Sequence, residues 1–124
     1  MGHWHELVRL AEQEVATLKR DLPPPLRERA EAVEIVFDRY PSEALVDSGI
    51  EPDSLGLFEG DALPDGPGVD GPWPTRVFLF LENIWDEAEG QPRAFRSEVR
   101  ITLLHEWGHY LGLDEDALAD RDLE

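Results

Sequence analysis

The chain has no cysteine. That excludes disulfides, thiolate metal ligands and a cysteine-based inhibitory segment, and it is compatible with a reducing compartment. No apolar run approaches the roughly 20 residues of a membrane span, so no membrane association is expected. Cations are scarce: 11 Lys and Arg stand against 28 Asp and Glu, a formal net charge of −17. Nucleic acid is not expected as a partner, because neutralising phosphates takes a basic surface. The start, Met1-Gly2-His3-Trp4-His5-Glu6, has no basic stretch leading into an apolar one. No signal peptide is expected, and the cytoplasm is the expected compartment. What is present suits a folded protein. Residues 1–124 are 41% hydrophobic, with four Trp and five Phe, and they read as one domain with a modest core.

The most informative run is His105-Glu106-Trp107-Gly108-His109-Tyr110-Leu111-Gly112-Leu113-Asp114-Glu115. On a helix, His105 and His109 sit one turn apart, about 40° around the axis and about 6 Å along it. Two imidazoles so placed reach one metal ion from the same face. Glu106 lies beside them, where its carboxylate can take a proton from water at the metal. Gly112 can leave the helix with a positive φ, and the acids Asp114, Glu115 and Asp116 follow. Two imidazoles, a carboxylate and one open position make a catalytic Zn2+ site. Asp114 is expected to cap a last short helix over residues 115–122. That leaves Glu115, and Asp116 behind it, as the candidate third ligand.

The surroundings support a helix over residues 94–111. The stretch has no Pro, and Phe95, Val99 and Leu103 repeat at helical spacing. A second apolar arc holds Ile101, Leu104, Gly108 and Leu111. Its Gly108 is expected to let the helix lie close on a sheet, with Arg96 and Arg100 facing solvent between the arcs. Glu98 projects from the histidine face almost two turns earlier. His3 and His5 read as exposed terminal residues rather than ligands.

Upstream, residues 4–22 carry an apolar stripe (Leu7, Leu10, Ala11, Val15, Leu18) that ends at Pro23-Pro24-Pro25. A short helical turn through Arg29 follows. Strands are expected over 32–39, 55–59 and 76–81, the last apolar on both faces and therefore central. A short helix is expected over 41–48, ended by Gly49. Residues 60–74, rich in Gly, Pro and Asp and containing Trp73, read as a long loop that could rim the cleft. The expected class is α+β: an N-terminal helix and the metal-binding helix packed on a small, mostly antiparallel sheet.

His105-Glu106-x-x-His109 is the signature of the zincin metallopeptidases. Its extension to Gly112 and Glu115 resembles the longer metzincin signature, with an acid in place of the third histidine. The chain is most similar to a small bacterial zincin-like family of minimal, single-domain metallopeptidases. The shared pattern includes Leu55 to Gly60, the apolar strand Arg76 to Leu81, and His105 through Leu118. The resemblance implies a zinc-dependent peptidase acting on peptides or small proteins. It implies His105, His109 and Glu115 as metal ligands and Glu106 as general base. In addition, the 55–59 strand is expected to be an edge along which an extended substrate could pair. The metzincin Met-turn has no counterpart, since the single Met is Met1. The competing expectation is a metal-binding but catalytically weak protein whose acidic cleft serves as a binding module.

Overall fold

The computed structural model describes residues 2–59 and 75–111. Within them the chain runs α1 (His3–Asp21), α2 (Pro24–Glu31), β1 (Glu34–Asp38), α3 (Glu43–Asp47), β2 (Gly56–Glu59), β3 (Arg76–Phe80), α4 (Leu81–Glu87) and α5 (Pro92–Leu111). The class is α+β, as the patterning predicts. Residues 60–74, with Trp73, and the expected helix over 115–122 lie outside the described residues.

Local chemistry explains the boundaries. Helix α1 buries Leu7, Leu10, Ala11 and Leu18 and stops where prolines cannot continue it. Arg27, on α2, donates to the carbonyls of Lys19, Arg20 and Leu22 at 3.0–3.2 Å. The Lys19 carbonyl also accepts from the Leu22 N–H at 3.3 Å. The guanidinium thus adds donors where the carbonyls of α1 run out of helical partners and folds α2 back. Helix α2 opens with Pro24 in its first turn, where a missing N–H costs nothing. Ser42 caps α3 by accepting from the Leu45 N–H at 3.2 Å. Gly49 then leaves α3 at φ 111°, a conformation a side chain resists.

The three strands form one sheet in the order β1-β3-β2. Strand β3 is central, as its apolar sequence predicts. The sheet is mixed rather than mostly antiparallel: β1 pairs with β3 in parallel, and β2 pairs with β3 antiparallel. The reason lies in β3 itself. Its Val77, Leu79 and Phe80 are fully buried, so it takes the doubly hydrogen-bonded position between two strands that come before it in the chain. Register aligns Arg76 with both Glu34 and Glu59. The guanidinium lies 3.1 Å from the first carboxylate and 3.7 Å from the second, a cross-strand charge row that helps to fix the pairing.

One sheet face, carrying Ile35, Phe37, Phe58, Val77 and Leu79, joins the core with Leu7, Leu18, Ile84, Phe95, Val99, Leu103 and Trp107. Helix α5 packs on β2, β3, α1 and α4. Arg96 and Arg100 do not simply face solvent. They reach α1, Arg96 at 3.4 Å from Glu14 and Arg100 at 3.8 Å from both Glu14 and Asp21. Phe95, Val99, Leu103 and Leu104 of α5 are buried, and the Arg100 side chain is itself mostly covered, with its tip at the acids of α1. His3 is half exposed, and it ties α1 to α4: Nε2 lies 2.9 Å from Glu82, and the ring meets Trp85 edge-on. No helix among the described residues is long and apolar enough to cross a membrane.

Candidate functional site

Helix α5 is unbroken from Pro92 to Leu111, so His105 and His109 stand one turn apart on a single helix, as the motif requires. Between them, Trp107 is fully buried. It anchors the motif turn on the core side, about 160° around the axis from His105. Packing by Trp107 therefore turns His105 outward. His105 is exposed and Glu106 half-buried.

His105 and Glu106 border a cavity of about 300 Å³ between α5 and the start of β2. The helix contributes Glu98, Ile101 and Thr102 as well, and the strand side contributes Ser54, Leu55 and Gly56. The histidine face therefore borders a cleft, and Glu98 lies on that face, both as the helical spacing predicts. Ile101 departs from expectation. It is 48% exposed rather than part of a buried arc. At about 40° from His105 around the helix, it falls at the arc's edge and lines the cavity instead.

Close approach of α5 to the sheet is achieved by a glycine, and that glycine is on the strand. A β-carbon at Gly56 would meet Thr102 Cγ2, the Phe78 carbonyl oxygen and Glu106 Cγ. The absence of a side chain there seats the Glu106 turn against β2. Gly108 is buried too, but Gly56 sets the distance at the cavity. The strand approach is held by Asn83, which is 8% exposed. Its side-chain amide donates to the carbonyls of Pro52 and Ser54 at 2.8 and 2.9 Å. Neither Gly56 nor Asn83 stands out in the sequence. The signal that could have revealed the cavity wall is the 98, 101, 102, 105 spacing, a single helix face.

The donor chemistry suits a divalent cation. Among the described residues the lining holds an imidazole and two carboxylates, and no Lys or Arg. Glu115 and Asp116, the expected third ligands, lie outside the described residues. Among the described residues, no three His, Asp or Glu side chains converge on one point. Strand β2 is at an edge of the sheet among the described strands, the position expected for it.

Comparison with known proteins adds a family. The family described as zincin-like metallopeptidase matches residues 30–124, which takes in all three strands, the Gly56 contact and the whole of α5 with its motif. No curated protein matches the chain. An unbroken His-Glu-x-x-His helix seated against a small sheet, with the match spanning both, places the chain in the zincin-like metallopeptidase family.

Proposed function

We propose that the protein is a zinc-dependent peptidase in which His105, His109 and Glu115 hold Zn2+ and Glu106 is the general base. The observation that carries this reading is the placement of His105 and Glu106 together at one cavity, at the seat of the family's motif helix. Zn2+ held there would supply Lewis acidity, polarising a peptide carbonyl and bringing the pKa of water towards about 7. The Glu106 carboxylate takes the proton from the attacking water and delivers it to the leaving amine nitrogen. Glu106 is half-buried and lines the cavity, where it can meet a bound substrate. An extended substrate would lie along the β2 edge, its main chain pairing with the strand.

The test uses protein purified without a histidine tag or added metal. Zinc is expected at one ion per chain, with cleavage of a random peptide library detected by mass spectrometry. Glu106→Gln is expected to keep the zinc and lose cleavage. Equal cleavage by wild type and variant would overturn the reading.

A further inference from the structure

The cavity beside Glu106 has a charge arrangement that proton transfer does not require. Its walls near Leu55, Ile101 and the Thr102 methyl are apolar, and Glu98 lies at its far end from the motif. Glu98 is two turns, about 10 Å, before His105 on the same helix face. It is half-buried and has no ion-pair or hydrogen-bond partner among the described residues.

Other partly covered carboxylates in this fold are treated differently. Glu14 and Glu82 are each only 12% exposed, and each is met within 4 Å by arginine, Glu14 by Arg96 and Arg100 and Glu82 by Arg39 beside the His3 ring. On its own helix the positions one turn away, which face Glu98, hold Ala94, Phe95, Ile101 and Thr102 and no cation. A half-covered acid with no cation of its own, at the end of an apolar channel, complements a ligand with an apolar stem and a cationic tip. A volume of about 300 Å³ is at the lower end of small-molecule sites and has room for one long side chain rather than a folded segment.

We infer that this cavity is a substrate side-chain subsite that selects lysine or arginine beside the bond being cut, with Glu98 receiving the cation. The inference rests on the peptidase reading above and adds its substrate class. Ile101 and Leu55 cover the methylene stem, and Thr102 and Gly56 form the wall nearest the motif. The net charge of −17 draws cationic peptides in from a distance.

The experiment uses the full chain loaded with Zn2+. The ligands are three acetylated, amidated alanine pentapeptides with lysine, norleucine or glutamate at the centre. Binding is read from the Ile101 δ1 methyl resonance, and cleavage from mass spectrometry. Lysine is expected to bind about twofold to fivefold tighter than norleucine, the range of a partly screened ion pair, with glutamate weakest. Glu98→Gln should level lysine with norleucine, and Glu98→Lys should put glutamate ahead of lysine. Equal binding of lysine and norleucine by wild type, or a preference that survives Glu98→Gln, overturns the inference. Selective binding with no cleavage of any peptide leaves the subsite standing and overturns the peptidase reading. Cleavage without preference does the reverse.

Discussion

A β-carbon on Gly56 would stand 2.8 Å from Thr102 Cγ2, so β2 and α5 meet at a separation that only glycine allows. The next neighbours are the Phe78 carbonyl oxygen at 3.1 Å and Glu106 Cγ at 3.5 Å. Gly56→Ala must therefore push the helix outward at the turn that carries Glu106, the proposed general base. The expected cost is about 1–3 kcal/mol in stability, the range for overpacking, together with a fall in kcat/KM as Glu106 shifts. Thr102→Ser removes the methyl in question. The double variant should recover part of the loss, with the Phe78 carbonyl accounting for the remainder. Denaturant unfolding of the four proteins gives the coupling directly. A Gly56→Ala protein as stable and active as wild type would show that this approach constrains nothing.

Zinc binding is expected to register as stability as well as activity. Any ion that binds the folded chain alone stabilises it by mass action, about 2.7 kcal/mol at a hundred times the dissociation constant. For a chain of this size that raises Tm by about 10 °C, and a chelator should reverse the gain. His105→Ala should abolish the shift. Glu106→Gln, which removes a proton acceptor and no ligand, should keep it. A shift that persists in His105→Ala would place the ion elsewhere.

The proposed third ligand is an acid beyond Gly112. Glu115 has the spacing of the third metzincin ligand, and Asp116 is the next carboxylate. Loss of a direct ligand should exceed the about 10- to 100-fold cost of losing an outer-sphere partner. Zinc affinity, measured by competition with a chelating dye, is expected to fall beyond that range in Glu115→Gln and to stay within tenfold of wild type in Asp116→Asn. The opposite ranking would assign Asp116.

Helices were the most legible part of the fold, because prolines, caps and the 3.6-residue period are local signals. The start of α5 is within two residues of that expected, and the helix runs through Leu111, the last described residue. The apolar run at Arg76–Phe80 correctly marks the central strand. Strand direction was not legible. The parallel pairing of β1 with β3 depends on β3 inserting between two earlier strands, a global choice that leaves no mark in either strand. Half of the candidate site was equally plain, since His105 and Glu106 belong to a contiguous motif. The other half depends on tertiary contact. Gly56 is one of 10 glycines, and its role exists only because Thr102 packs against it. Ile101 looks like core by hydropathy, yet its angle on α5 puts it at the cavity. Asn83 carries no local signal of burial, yet it is buried, and its partners lie about 30 residues back in the chain.

Asn83 provides the sharpest test of how the cavity rim is held. Its amide nitrogen uses both hydrogens, on the carbonyls of Pro52 and Ser54, and Ser54 lines the cavity. Asn83→Ala leaves two carbonyls short of a donor, and the expected loss is about 1–3 kcal/mol. Asn83→Asp is nearly the same shape but presents an acceptor, and at neutral pH a negative charge, to those oxygens. It should therefore be more damaging than alanine, although it deletes no packing. A role in volume alone predicts the reverse order. The Asn83→Asp variant should also gain stability as pH falls, because protonation removes the charge and restores one donor. The sign follows from linkage: carbonyls facing the buried acid raise its folded pKa above the unfolded value of about 3.9. The penalty is then relieved as pH drops through the folded pKa towards the unfolded one. Unfolding followed between pH 7 and pH 4 should bring Asn83→Asp closer to Asn83→Ala, whereas a constant gap across that range would mean that the amide does not hold the rim through these two hydrogen bonds.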